Sequence, residues 1–202
     1  MKGERWIIMT KIILFGDSIT AGYADGEINP ILTEAVKAEF SQFEVINAGI
    51  PGDTTVDGLK RVGNHVTTYQ PEVVTVFFGA NDVALHNQVS LADYQINLRK
   101  IIEAIGPAKV ILLTTPFASQ RNQSLDRPLE AIESYTIAAL ELATELQLPV
   151  INLLEVMLTS PEPENYLQAD GLHFSAAGYD MLSREINQAI KKLIKRKSDS
   201  HE

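Results

Sequence analysis

The sequence predicts an α/β protein in which a five-stranded parallel sheet carries helices on both faces. Five short apolar runs, rich in β-branched and aromatic residues, are typical of strands that are buried on both sides. Segments with apolar residues at helical spacing lie between these runs. Because strands that alternate with helices form parallel sheets covered on both faces, we expect a three-layer α/β/α architecture.

The predicted strands follow one another at fairly regular intervals along the chain. Gly16, Gly49 and Gly79 end the first three runs, and Pro149 opens the last one. The five strands are expected at residues 12–15, 45–48, 73–78, 110–113 and 149–152.

The predicted helices lie in the intervals between the strands and after the last strand. Pro30 suits the first turn of the first long helix, and Asp53 is expected to cap the second. Further helices are expected to begin near Leu91, at Leu129 and close to Tyr179, where apolar residues recur every three or four positions. We find no internal repeat and no linker between domains.

Polar or small residues follow four of the predicted strands at their carboxyl ends. Ser18 follows the first strand, Gly52 the second and Asn81 the third, while Asp170 and His173 come after the fifth. The carboxyl ends of parallel strands meet at one edge of a sheet, where such folds bind their ligands. We therefore expect these five residues to lie close together.

Three of these residues are the types that nucleophilic catalysis by serine requires. A serine hydroxyl becomes an effective nucleophile when an imidazole removes its proton, and a carboxylate holds that imidazole in the correct tautomer. Asp170 and His173 are three residues apart and can form such a pair within one turn. The sequence therefore predicts Ser18 as nucleophile, His173 as base and Asp170 as the supporting acid.

The remaining two residues suit the stabilisation of a tetrahedral oxyanion. We expect its hydrogen-bond donors to be the backbone N–H groups of Ser18 and Gly52 and the side-chain amide of Asn81. Each such donor stabilises the transition state by roughly 3–4 kcal/mol. Glycine at position 52 has no Cβ that would hinder the approach of substrate to the backbone.

Four stretches of the sequence resemble, in order, the conserved blocks of the GDSL, or SGNH, esterases and lipases. They are residues 15–20 (FGDSIT), 49–54 (GIPGDT), 79–82 (GAND) and 170–173 (DGLH). The resemblance spans nearly the whole chain, and it implies a flavodoxin-like fold and the same catalytic and oxyanion residues. Residues 78–82 and 170–175 look most similar to the isoamyl-acetate-hydrolysing esterase branch.

The first block contains Gly-Asp-Ser-Ile where the family is named for Gly-Asp-Ser-Leu, so Ile19 is a conservative replacement of leucine. It also lacks the second glycine of the Gly-x-Ser-x-Gly motif, and its serine follows the first strand. The ordinary α/β-hydrolase fold is therefore not expected.

The expected function is that of a serine esterase that hydrolyses small short-chain esters through an acyl-enzyme, with no metal or organic cofactor. A lysophospholipase, a thioesterase and a carbohydrate acetylesterase would use the same residues and remain alternatives. A flavin- or phosphate-binding protein of flavodoxin-like fold is a further alternative, because residues 18–22 could surround a phosphate. That reading leaves Asp170 and His173 unexplained.

Two further residues are predicted to contact substrate. Phe117 opens the long polar stretch at residues 116–128, and His86 lies near the predicted catalytic edge of the sheet. His65, His86 and His201 have no partners at the spacing that metal sites require, so no metal site is expected.

The composition limits the partners and the compartment of the protein. Its 26 acidic and 17 basic residues give a formal charge of −9, which disfavours nucleic acid and anionic membranes. The chain contains no cysteine and no apolar stretch long enough to insert into a membrane. We therefore expect a cytoplasmic enzyme whose partner is a small-molecule ester.

The chain is expected to form a single domain over residues 1–202. Met9 could be a natural start, so residues 1–9 are interpreted as a possible N-terminal extension. Residues 195–202, which are basic and then polar, are expected to form a flexible tail.

Overall fold

A parallel sheet lies at the centre of the computed structural model, which describes residues 10–24 and 26–199. The described residues contain seven strands: β1 (Lys11–Gly16), β2 (Tyr23–Ala24), β3 (Glu27–Ile28), β4 (Glu44–Gly49), β5 (Val73–Phe77), β6 (Val110–Leu113) and β7 (Val150–Ile151). Five of them form one sheet in the order β4-β1-β5-β6-β7, and all of its pairings are parallel. The predicted five-stranded parallel sheet is confirmed, and its order is that of flavodoxin-like folds.

The central strands are buried on both faces of the sheet. Every residue of β5 and β6 is buried, and so is all of β1 except Lys11 at its start. This environment explains why the strands appear in the sequence as continuous apolar runs rather than as alternating patterns.

Helices cover both faces of the sheet. Besides four short 3-10 helices, the described residues contain eight α-helices: α1 (Ser18–Ala21), α2 (Ile31–Glu39), α3 (Thr55–His65), α4 (Leu91–Ile105), α5 (Gln120–Leu125), α6 (Leu129–Glu145), α7 (Leu153–Leu158) and α8 (Ala176–Asp199). Helix α2 packs against α8, while α4 packs against both α3 and α6. Because connections between parallel strands are right-handed, the strand order puts these two groups on opposite faces of the sheet.

Four short elements were not predicted. Helix α1 and the β2–β3 hairpin lie between β1 and α2. Helix α5 lies within the polar stretch at residues 116–128, and α7 follows β7. Each has only two to six residues, which is too short for a periodic pattern to be recognised.

The prediction that Asp53 caps a helix is wrong. Thr54 is the N-cap of α3, and the Asp57 carboxylate accepts hydrogen bonds from the Thr54 N–H (3.2 Å) and hydroxyl (2.9 Å). The Asp53 carboxylate instead pairs with Arg61, with 2.5 Å between Oδ2 and Nε. The Asp53 side chain therefore forms a tertiary ion pair instead of the helix cap that its local propensity predicted.

Helix α8 extends further than the sequence indicated. It continues to Asp199, so residues 195–199 are helical where we expected the tail to begin, and Lys197 Nζ lies 2.6 Å from Glu72 Oε1. Residues 200–202 and the predicted extension at residues 1–9 lie outside the described residues. Over the ranges 10–24 and 26–199, no helix combines the length and the apolar character that a membrane span requires.

Candidate active site

Ser18 lies at the carboxyl end of β1, where the strand passes directly into the short helix α1. Asp17 caps this helix, because its Oδ1 accepts a hydrogen bond of 2.9 Å from the Ile19 N–H. Ser18 is the first helical residue and has an exposed fraction of 6%. The cap fixes the backbone on either side of Ser18 and thereby the direction of its hydroxyl.

The structure brings the His173 ring into contact with both Ser18 and Asp170. His173 Nε2 lies 2.9 Å from Ser18 Oγ, although the two residues are 155 positions apart. On the other side of the imidazole ring, His173 Nδ1 lies 2.6 Å from Asp170 Oδ2. A carboxylate at Nδ1 favours the tautomer that is protonated on Nδ1, which leaves Nε2 free to accept the serine proton.

The surroundings of Asp170 favour its ionised form. Its Oδ1 accepts hydrogen bonds from the backbone N–H groups of Leu172 (2.9 Å) and His173 (3.0 Å). Partial burial raises the pKa of Asp170, but the hydrogen bonds from the His173 side chain and from these two N–H groups outweigh burial and hold the pKa below its usual value. Asp170 therefore carries a negative charge beside His173 at neutral pH.

The segment that carries Asp170 and His173 is held by contacts that the sequence did not indicate. Asn122 Nδ2 donates to the Asp170 carbonyl (2.8 Å), the Ser119 N–H to the Gly171 carbonyl (2.9 Å) and the Gln168 N–H to the His173 carbonyl (2.7 Å). Gly171 has φ of +72°, and a Cβ there would lie 2.0 Å from Ser119 Oγ. Glycine is therefore required at position 171, because a side chain there would clash with Ser119 and would strain the left-handed backbone.

An aromatic ring packs against the His173 imidazole. The ring of Tyr23 lies 4.4 Å from that of His173, centroid to centroid, and the Tyr23 carbonyl accepts from Gln168 Nε2 (3.1 Å) and from the Tyr179 hydroxyl (3.3 Å). Tyr23 belongs to the unpredicted β2–β3 hairpin, so this contact could not be predicted from the sequence.

The expected oxyanion donors lie on the three loops that follow β1, β4 and β5. Within the described residues, the N–H groups of Ser18 and Gly52 donate to no protein atom. One hydrogen of Asn81 Nδ2 is used in a 3.0 Å bond to the Asp53 carbonyl, which leaves the other available. Unused donors of this kind stabilise a negative charge that develops on a substrate oxygen.

The structure gives a different reason for glycine at position 52. Its φ is +83°, in the left-handed region that residues with a Cβ rarely adopt, while a Cβ there would meet no atom within 4 Å. The backbone conformation, rather than crowding by protein atoms, therefore favours glycine.

Two buried carboxyl groups lie beneath this site. Asp82 Oδ1 accepts from both the backbone N–H and the hydroxyl of Thr55, and burial raises the pKa of Asp82 despite these bonds. Burial raises the pKa of Asp17 to about 7; the Ile19 N–H opposes this shift, and the charges of Asp82 and Asp53 add to it. Asp17 Oδ2 has no hydrogen-bond partner within the described residues.

The shifted pKa of Asp17 predicts a pH-dependent stability. Below the ordinary value of 3.8, Asp17 is protonated in both the folded and the unfolded chain. Its burial then costs the least, so the contribution of Asp17 to the free energy of unfolding is most favourable there. Between 3.8 and about 7 only the folded chain keeps the proton, so the free energy of unfolding falls as pH rises through this window. Urea unfolding of wild type and Asp17→Asn at pH 4 to 8 should show the variant gaining relative stability, by up to roughly 4 kcal/mol. A difference that stays constant over that range would contradict this assignment.

The two residues predicted to contact substrate have different surroundings. Phe117 packs in the hydrophobic core with an exposed fraction of 7%. The His86 side chain is 63% exposed, and its Nδ1 lies 2.7 Å from Asp126 Oδ2. Contact of either residue with substrate stays a prediction. Within residues 10–24 and 26–199, no group of three or more His, Asp or Glu side chains could hold a metal ion.

Comparison with known proteins agrees with the resemblance found in the sequence. The model of the GDSL-like lipase/acylhydrolase family matches residues 14–181, a range that includes Ser18 and His173. The isoamyl acetate-hydrolyzing esterase 1 homolog of Homo sapiens is 28% identical over 214 residues, which cover 93% of this chain and 84% of that protein.

Two solved structures extend the comparison. A lipase/acylhydrolase from Enterococcus faecalis is 44% identical with a TM-score of 0.87, over 91% of this chain and 96% of that one. An acetyl xylan esterase from Geobacillus stearothermophilus is 25% identical with a TM-score of 0.71, over 90% and 94% of the two chains. Both similarities cover at least nine-tenths of this chain.

Proposed function

This chain belongs to the GDSL-like lipase/acylhydrolase family and is a carboxylic ester hydrolase, and from that premise we propose that it cleaves small esters of short-chain acids through an acyl-enzyme on Ser18. The observation that carries the proposal is the pair of contacts at His173: 2.9 Å to Ser18 Oγ and 2.6 Å to Asp170 Oδ2. A phosphate-binding role for residues 18–22 would leave both contacts without a purpose.

Acylation begins when Ser18 Oγ attacks the ester carbonyl carbon while His173 Nε2 removes the hydroxyl proton. The carbonyl oxygen becomes an oxyanion, which accepts hydrogen bonds from the N–H groups of Ser18 and Gly52 and from Asn81 Nδ2. Asp170 stabilises the imidazolium that forms. When the tetrahedral intermediate collapses, His173 returns the proton to the departing alkoxide, and the alcohol leaves.

Deacylation repeats these steps with water as the nucleophile. His173 removes a proton from the water, the resulting hydroxide attacks the acyl carbon, and the same donors stabilise the second oxyanion. Collapse of this intermediate releases the carboxylic acid and returns the proton to Ser18 Oγ. The cycle needs no group beyond the side chains and backbone of this chain.

Two features favour a short acyl group. Ser18 is 6% exposed and Asn81 8% exposed, so an ester carbonyl must enter a recess to reach them. The names of two similar proteins, an isoamyl acetate-hydrolyzing esterase homolog and an acetyl xylan esterase, both refer to acetyl esters. An acetyl group is the acyl part that such substrates share.

A panel of p-nitrophenyl esters tests this preference. We expect kcat/KM to be highest for acetate to butyrate and at least about tenfold lower for octanoate, since each methylene that the site cannot accommodate costs roughly 1–3 kcal/mol. A maximum at octanoate or palmitate would contradict the short-chain proposal and favour a lysophospholipase or thioesterase. Faster release of acetate from acetylated xylo-oligosaccharides than from simple acetates would favour a carbohydrate acetylesterase.

A further inference from the structure

Arg61, on helix α3, joins the ends of the neighbouring strands β1 and β4 and the loop that follows β4. Its Nε lies 2.5 Å from Asp53 Oδ2, its Nη1 donates to the Ala48 carbonyl (2.7 Å) and its Nη2 to the Gly16 carbonyl (2.8 Å). The side chain is only 11% exposed, and the guanidinium carbon lies 4.5 Å from the centre of the Phe15 ring. Every nitrogen of this buried cation is therefore hydrogen-bonded, and one face of it is covered.

Each of the three acceptors lies within four residues of a proposed oxyanion donor along the chain. The Gly16 carbonyl ends β1, two residues before Ser18, and it also accepts from the Ile50 N–H (3.0 Å). The Ala48 carbonyl precedes the turn that contains Gly52. Asp53 follows Gly52 directly, so its pairing with Arg61 fixes the end of that turn.

Asp53 also links Arg61 to the third donor. The Asp53 carbonyl accepts the 3.0 Å hydrogen bond from Asn81 Nδ2, and Asn87 Nδ2 donates to the Asn81 carbonyl (2.8 Å). The guanidinium thus holds the Asp53 carboxylate, while the backbone of the same residue orients the Asn81 amide. One side chain reaches the supports of all three donors.

Only arginine can make this arrangement. Its planar guanidinium presents donors in fixed directions, whereas a lysine ammonium at the same place is a point charge that cannot serve three acceptors in one plane. Lysine would preserve the charge near Asp53 and lose the simultaneous bonds to the two carbonyls. Arg61→Lys therefore tests whether the hydrogen-bond geometry of the guanidinium is needed in addition to its positive charge.

We propose that Arg61 is a positioning residue of the oxyanion hole, which aligns the N–H groups of Ser18 and Gly52 and the Asn81 amide by its contacts with Gly16, Ala48 and Asp53. The inference rests on the proposed function, because it assigns a support to the donors named there. It predicts that disturbing Arg61 lowers kcat, whereas KM for a small ester changes little. A displacement of about 1 Å can reduce the rate by as much as about 100-fold.

The test is a double-mutant cycle between Arg61 and Asn81, with p-nitrophenyl acetate as substrate. We expect Arg61→Lys to lower kcat about 10- to 100-fold in the wild-type background, and KM to change by less than about threefold. In the Asn81→Ala background, one of the donors that Arg61→Lys misplaces is already missing. The fold-loss of kcat caused by Arg61→Lys should therefore be at least about three times smaller there than in the wild-type background. A purely structural role would give equal losses in both backgrounds.

Two further variants complete the design. Val62→Ala shortens a buried side chain on the same helix, and it should lower the melting temperature while kcat stays within about twofold. Asp53→Asn keeps the backbone carbonyl that orients Asn81 but removes the carboxylate, and it should lower kcat in the same direction as Arg61→Lys. Asp53→Asn decides the question if Arg61→Lys does not fold.

The outcomes distinguish this inference from the proposed function. If folded Arg61→Lys and Asp53→Asn both keep kcat within twofold, or if the loss is the same with and without Asn81, Arg61 does not position the oxyanion hole. Ser18→Ala is assayed alongside: an inactive Ser18→Ala with a fully active Arg61→Lys overturns only the role of Arg61. An active Ser18→Ala overturns the proposed function itself.

Discussion

Ser18→Ala is expected to lower kcat for p-nitrophenyl acetate by about 10³- to 10⁶-fold. The substitution removes the oxygen that lies 2.9 Å from His173 Nε2, and with it the bond between enzyme and acyl group. The remaining donors can still bind an ester and polarise its carbonyl, which accounts for the residual rate. Steady-state kinetics on purified protein, with a melting curve to show that the fold is intact, measure the effect.

Ser134→Ala serves as the matched control for this substitution. Ser134 lies on α6, is exposed, and its hydroxyl donates to the Glu130 carbonyl one turn earlier. Loss of that hydroxyl should leave kcat unchanged within about twofold. Wild-type turnover by Ser18→Ala would mean that the nucleophile lies elsewhere.

Asp170→Asn is expected to lower kcat by about 10⁴-fold. The amide oxygen can replace Oδ1 and keep the hydrogen bonds from the Leu172 and His173 N–H groups, so the loop should retain its shape. The amide nitrogen then faces His173 Nδ1, where it donates a hydrogen bond instead of accepting one. The imidazole is forced into the tautomer that carries its proton on Nε2, and it can no longer receive the proton of Ser18.

The matched control is Asp180→Asn on the exposed part of α8, where the carboxylate pairs with Arg184 at 3.5 Å. Exposed ion pairs of this kind contribute little, so kcat and the melting temperature should remain close to those of wild type. The role of Asp170 as the supporting acid would be wrong if Asp170→Asn kept kcat within tenfold of wild type.

Much of the fold could be predicted from the sequence because its strongest signals are local. The buried strands appear as continuous apolar runs, and glycines end three of them. The parallel pairing then places Ser18, Gly52 and Asn81 at one edge without any further information. The pairing of Asp170 with His173 is also local, since the two residues are three positions apart.

The supports of the site could not be predicted, because they depend on tertiary contacts that leave no pattern. Arg61 contacts Gly16 across 45 positions, and Asn122 contacts Asp170 across 48. The prediction that Asp53 caps a helix failed for the same reason, because local propensity could not show that Arg61 would pair with the Asp53 carboxylate. Tyr23 lies beside His173 through a two-residue strand that has no period to detect.

The most direct test of this account is the site of covalent modification by a fluorophosphonate. Trypsin should release residues 12–37 as one peptide, and Ser18 is its only serine. Mass spectrometry should find one adduct per chain on this peptide, in parallel with the loss of esterase activity, and none in His173→Ala. An adduct on a different peptide, or full activity after treatment without an adduct, would contradict the assignment of Ser18 as the nucleophile.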